Sequence, residues 1–251
     1  MFAHFRTTLL AAAAVVSVST LAAQPLLVAA AADVAPLETK LKQGFAAAGG
    51  GSAQFVFGAS GMLARQIESG APYDVFLSAD ERLVQGLAAQ GKLARGSVVV
   101  YATGRLGLWS AHQAVPANLA GLLDAKYRMV AVANPEHAPY GAAARVLLER
   151  AGLWSRLQPR IVLAENVRQA FEFASTGNAD AVITSWTLLW NQPGAKLLPA
   201  DSHPPIRQSG GVVAGTSKEA RARAFLRFLL SPAGQAILHS GGLFAPPSPG
   251  H

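Results

Sequence analysis

Apolar positions along this chain alternate repeatedly between two periods. Residues 26–32 form a continuous apolar run, as in a parallel strand buried on both faces. Leu37, Leu41 and Phe45 then recur at helical spacing until Gly49-Gly50-Gly51 stops them. The same alternation predicts strands at 53–57 and 73–77, and helices at 62–68 (closed by Gly70) and 80–90. Residues 98–101 and 105–109 read as one extended stretch interrupted at Thr103-Gly104. The second half repeats the pattern, with strands at 128–132, 160–163, 179–184 and 210–214. Helices are predicted at 141–151, 167–176, 217–230 and 232–239.

Strand–helix alternation of this kind specifies an α/β fold of mostly parallel sheet with helices on both faces. The extended stretch at 98–109 and the segment 204–214 are the two places where the chain can pass between lobes. The expected architecture is therefore two doubly wound α/β lobes joined by two crossing segments, with a ligand cleft between them. Lobe I takes residues 24–103 and 211–251, and lobe II takes 104–210. No internal repeat of fixed period is visible.

The first 23 residues stand apart. His4 and Arg6 precede an almost unbroken apolar run at 9–18, and small residues follow at 19–23. A basic start, a short apolar core and a small-residue exit make a secretory signal peptide. The run is too short for a ~30 Å hydrocarbon layer, which needs roughly 20 apolar residues. Cleavage after Ala22 or Ala23 and a periplasmic destination are expected. The absence of cysteine excludes disulfides, thiolate metal sites and cysteine nucleophiles.

Charge narrows the partners. The formal net charge is +7, and the one group of cations, Lys218, Arg221, Arg223 and Arg227, fits a solvated helix face. Without aromatic residues interleaved among them, nucleic acid is not an expected partner.

The loops that follow strands carry the candidate chemistry, because open parallel sheets bind ligands beyond the carboxyl ends of their strands. Four of them lead into helix starts: Ala31-Ala32-Asp33, Gly58-Ala59-Ser60-Gly61, His137-Ala138-Pro139-Tyr140-Gly141 and Glu165-Asn166-Val167. Each alone is an ordinary cap. Together, converging helix N-termini offer unpaired N–H groups and partial positive charge, an anion site that needs no lysine or arginine. Ser60 adds a hydroxyl donor and Tyr140 a phenol.

Enzymatic constellations are weaker. Gly58-Ala59-Ser60-Gly61 resembles a nucleophile elbow, but Met62 stands where that motif requires glycine. A hydrolase using Ser60 is thus a remote alternative. The six histidines show no zinc-ligand spacing, and His137 reads as a structural residue bonding backbone groups. No Walker A or GxGxxG pattern is present.

At these residues the chain resembles the periplasmic molybdate-binding proteins of ABC importers, within the type II periplasmic binding protein fold. The resemblance rests on residues 57–72, which begin Phe57-Gly58-Ala59-Ser60-Gly61-Met62, and on Tyr73-Asp74-Val75-Phe76-Leu77-Ser78-Ala79-Asp80. It continues through Asn134-Pro135-Glu136-His137-Ala138-Pro139-Tyr140-Gly141, Glu165-Asn166-Val167-Arg168 and Asp201-Ser202-His203. It implies a monomeric binding protein without catalysis or cofactor. Such a protein captures molybdate, or the similarly sized tungstate, and passes it to a membrane permease. Molybdenum would be held only through its oxygens, with no direct protein ligand.

The resemblance also implies a neutral cage. Ser60 donates its hydroxyl and its N–H, while Tyr140 and Val167 donate N–H groups. Two positions depart from the family pattern, Asp33 where serine is usual and Ser185 where many members place a tyrosine. The Tyr140 phenol is expected to replace that missing tyrosine from the opposite wall. Asp33 is the awkward residue, since a carboxylate about 5 Å from a dianion costs roughly 6–7 kcal/mol at an effective dielectric near 20. A micromolar affinity is worth only about 8 kcal/mol. Its side chain is therefore expected to turn away and cap the helix at 37–45. The alternative is a different small anion or carboxylate on the same scaffold.

Overall fold

The computed structural model describes residues 24–246, so the expected leader at 1–23 lies outside the described residues. The chain opens with β1 (Leu26–Ala31), a 3-10 turn at Ala32–Leu37 and α1 (Glu38–Ala47). Next come β2 (Ala53–Gly58), α2 (Ser60–Glu68), β3 (Val75–Ser78), α3 (Glu81–Ala89) and β4 (Val99–Gly104). The second half supplies β5 (Leu106–Trp109), β6 (Val130–Ala133), α4 (Pro139–Arg150), α5 (Trp154–Leu157), β7 (Ile161–Ala164) and α6 (Val167–Ser175). It continues with β8 (Ala181–Ser185), α7 (Trp186–Leu189), β9 (Lys196–Leu197), β10 (Ile206–Val212), α8 (Glu219–Leu230) and α9 (Pro232–Ser240).

These strands form two five-stranded sheets, ordered β2-β1-β3-β10-β4 and β7-β6-β8-β5-β9. In each, three strands are parallel and carry the crossover helices. The antiparallel strands are the ones at the crossings: β10 runs against β3 and β4, and β5 against β8 and β9. Each sheet is thus mixed, and its reversed strand is the one that enters from the other sheet, β10 in the first and β5 in the second.

The first crossing is abrupt. β4 runs through Thr103 to Gly104, and only Arg105 separates it from β5 in the other sheet. The return lies earlier than the pattern predicts. Strand pairing begins at Ile206 with β4 and at Ser209 with β3, so the boundary at 210/211 cuts through a continuous strand. Polar Arg207, Gln208 and Ser209 hid it, although Gln208 and Ser209 are fully buried.

Aromatic packing anchors the first sheet's outer layer. Phe45 of α1 meets Phe225 of α8 edge to face, with ring centroids 5.0 Å apart, a preferred geometry for aromatic pairs. The core of the second sheet extends across the cleft: Leu106, Val132 and Tyr140 share one buried cluster with Ala31, Ala59 and Ala79 of the first. The Gly61 N–H also donates to the His137 carbonyl at 2.9 Å. The lobes are therefore seen in contact, with the strand ends facing one another.

Candidate functional site

Where the lobes meet, residues from all four predicted loops enclose one small cavity. Its lining includes Asp33, Ser60, Ala79, Tyr140, Asn166 and Val167, and contains no lysine, arginine or histidine. The enclosed space is of the order of a single water-sized sphere. That leaves no room for an extended organic molecule. A larger surface hollow beside Asp74 and Lys218 lies at the amino ends of β1 and β3, away from the converging helix starts.

The helix starts are built to leave donors unused. α2 and α4 begin without a side-chain cap. In α6 the Asn166 side chain accepts from Arg168 and Gln169, and the Val167 amide, one residue earlier, is not among them. The amides of Ser60, Tyr140 and Val167 have no acceptor among the described residues. Each sits in the first turn of a helix, where the partial charge is positive. The Ser60 hydroxyl accepts from the Ala79 N–H at 3.0 Å. Its oxygen is thereby fixed and its own hydrogen is left to donate.

Glycine makes the close approaches possible. A Cβ on Gly141 would run into the Ala133 carbonyl, and one on Gly104 would overlap the Tyr140 phenol. Gly104 thus gives the phenol the space it occupies at the crossing of the two lobes.

Asp33 does not cap α1. The 3-10 turn at Ala32–Leu37 intervenes, with Asp33 in its first turn, and the N-cap of α1 is Leu37, which makes no side-chain cap. The carboxyl is instead fully buried. Its Oδ2 accepts from the Tyr140 phenol at 2.9 Å and from the Gln208 amide at 2.6 Å. Burial pushes the carboxyl up to about 7, while the bonds from Tyr140 and Gln208 pull it down. Burial and the neighbouring Asp33 raise the Tyr140 phenol well above its usual range, so it remains a neutral donor.

The phenol is therefore engaged with Asp33 rather than replacing a missing tyrosine. Ser185 is not in the lining of the cavity. It caps α7, accepting from the Thr187 N–H at 3.3 Å and sharing a hydrogen bond with the Thr187 hydroxyl at 2.8 Å. Thr187 in turn donates to the Asp33 carbonyl at 2.7 Å. Sequence reasoning missed Gln208 and Thr187. A glutamine in an otherwise buried strand was the available signal, masked by its polar neighbours.

The model of the family described as bacterial extracellular solute-binding protein matches residues 26–244. The chain belongs to that family. A molybdate-binding protein of Rhodobacter capsulatus is 35% identical to this solute-binding protein over 195 residues, 77% of each chain. Among solved structures, the periplasmic molybdate-binding protein of Azotobacter vinelandii superposes with a TM-score of 0.84 at 33% identity, covering 88% of this chain and 100% of the other. The sulfate-binding protein SubI of Mycobacterium tuberculosis, at 16% identity and a TM-score of 0.71, covers 90% of this chain and 88% of its own. At that distance the likeness concerns the fold alone. These relatives are binding proteins, not enzymes, and this solute-binding protein shares their two-sheet, two-lobed type II architecture.

Proposed function

We propose that this protein captures molybdate, or tungstate of similar size, in the closed cleft and delivers it to the membrane permease of an ABC importer from the periplasm. The observation that carries this reading is the convergence of unpaired helix-start amides and the Ser60 hydroxyl on one small space without a cation. In it, Ser60 donates through its hydroxyl and its N–H, and Tyr140 and Val167 donate N–H groups. Asp33 contributes its N–H from the same lobe as Ser60. Ser185 acts indirectly, by holding Thr187 and through it the Asp33 main chain.

Fixed neutral donors stabilise a tetrahedral anion by direct hydrogen bonds that gain strength in a dry site. A rigid cage also penalises an ion whose oxygens fall short, so sulfate is rejected on size. The two named molybdate-binding relatives support the choice of ion. The protein works as a monomer whose lobes close on the ion and open to release it at the permease.

The buried Asp33 carboxyl favours a second reading, a different small anion on the same scaffold. Isothermal titration with molybdate, tungstate, sulfate and phosphate separates the two. The first reading expects heat from the first two only, and heat from phosphate alone would select the second.

A further inference from the structure

The two oxygens of the Asp33 carboxyl stand in unequal positions. Oδ2 receives two hydrogen bonds, from Tyr140 and Gln208. Oδ1 is buried and has no partner, and Asp33 lines the small cavity where the lobes meet. The donors on Oδ2 are themselves locked. Gln208 Oε1 accepts from the Tyr101 phenol at 3.0 Å, and Gln208 Nε2 donates at 3.0 Å to the Tyr140 oxygen as well. In this arrangement the amide gives its hydrogens to Oδ2 and to the Tyr140 oxygen and leaves Oε1 for Tyr101, so Oδ2 is the accepting oxygen.

A carboxyl held this way has two forms. Ionised, it sets a negative charge, one oxygen unpartnered, beside a bound anion in a water-poor site. Protonated, it carries the hydrogen on Oδ1, because Oδ2 already receives two. That hydrogen then needs an acceptor which the protein does not supply. An oxygen of an anion in the cavity is such an acceptor.

We propose that Asp33 is a specificity-determining residue that enters the ligand-bound site as a neutral carboxylic acid, its Oδ1–H donating to the captured dianion, so that capture at alkaline pH takes up one proton. The proposal rests on the oxyanion reading above. One O–H bond forms on Oδ1, the proton comes from solvent or buffer, and no other bond changes.

The surroundings agree. Tyr140 from α4 and Gln208 from β10 face the carboxyl, with Tyr101 from β4 behind the glutamine. α7 contributes only the neutral Thr187, to the main chain. The charged residues of the adjoining helices lie toward solvent and pair among themselves, Lys42 with Glu38 on α1 and Arg168 with Glu172 on α6. Lys40 of α1 reaches the Ser240 hydroxyl. No cation therefore holds Asp33 ionised. Burial raises the carboxyl to about 7 without any anion present, and a dianion at contact raises it further.

The test is calorimetric titration of wild type and Asp33→Asn with sodium molybdate between about pH 6 and pH 9, in two buffers of different ionisation heat. Asparagine keeps an acceptor for Tyr140 and Gln208 and offers an amide donor in place of Oδ1–H. For wild type, the expected result is an affinity falling about tenfold per pH unit at the alkaline end, with a buffer-dependent heat equal to about one proton. Asp33→Asn should bind with neither dependence and be the tighter binder at the highest pH. Wild-type binding that is flat with pH and independent of buffer overturns this proposal and leaves the molybdate reading standing. The proposal is equally overturned if Asp33→Asn unfolds cooperatively like wild type but has lost the ion at every pH. Should that variant fail to fold, the wild-type buffer series decides alone. Absence of heat from both proteins removes the molybdate reading itself, and this proposal with it.

Discussion

The two walls of the cavity solve the same problem in opposite ways. On the Ser60 wall every polar group is neutral, and the hydroxyl oxygen is held by the Ala79 N–H. Nothing there titrates near neutral pH. On the Asp33 wall, in the same lobe, a fully buried carboxyl is held through one oxygen by Tyr140 and Gln208, while the other has no partner. The first wall fixes geometry at every pH. The second makes the site's charge depend on one proton. An anion cage therefore needs more than donors; it also needs any nearby carboxyl to be neutral when the anion arrives.

The contrast is sharpest in stability. The Asp33 value in the folded protein is raised from 3.8 to about 7, so the folded state binds this proton more tightly than the unfolded chain. Its contribution is fully present below about pH 4 and is lost as pH rises toward about 7. The shift corresponds to something of the order of 4 kcal/mol. Chemical denaturation across this range should show wild type losing stability relative to Asp33→Asn as pH rises, with the curves converging in acid. Parallel curves would remove the distinction between the walls.

On the neutral wall, Ser60→Ala deletes a donor to a charged ligand and leaves the buried Ala79 N–H without its acceptor. A loss of roughly 1.5–3 kcal/mol in molybdate affinity is expected, about 10–100-fold, at every pH alike. Calorimetry at two pH values checks this, and a pH-dependent loss would mean that the walls are coupled. Gln208→Leu should cost roughly 1–3 kcal/mol of folding stability, through the orphaned Tyr101 phenol and the weakened hold on Asp33. Thermal unfolding in acid, where the carboxyl is protonated, should show the smaller part of that loss.

The smallest effect concerns the seam between lobes. A Cβ on Gly61 would stand 2.9 Å from the His137 carbonyl, a contact made only when the lobes meet. Gly61→Ala should weaken molybdate binding by about 1 kcal/mol while the melting temperature without ligand hardly moves. A melting temperature that falls along with the affinity would place the defect in the fold of the first lobe instead.

Much of this was legible in the sequence. The alternating periods gave every parallel strand to within a few residues, and strand-end loops 31–33, 58–61, 137–141 and 165–167 all reach the cavity. The start of α6 at Val167 was legible from the local pattern, whereas α2 and α4 begin two residues before the predicted 62 and 141, and the donor roles of Ser60, Tyr140 and Val167 rested on the family resemblance. The crossing strand at Ile206–Val212 was harder, since its buried polar residues serve contacts with distant strands and helices. Asp33 shows the limit most clearly. Charge repulsion predicted that it turns away to cap the following helix, whereas its actual partners lie 107 and 175 residues further along the chain. Ser185, a candidate for the oxyanion site by its place after β8, has its hydroxyl at the start of α7 and, through Thr187, supports the main chain of Asp33.

The most direct test of the central claim is a calorimetric titration of the processed protein with molybdate and, separately, with sulfate at mildly acidic pH, where Asp33 carries its proton. The proposed neutral cage, selective for the larger ion, predicts a saturable one-to-one heat with molybdate, micromolar or tighter, and none with sulfate. Equal heats from both ions, or none from molybdate, would contradict it.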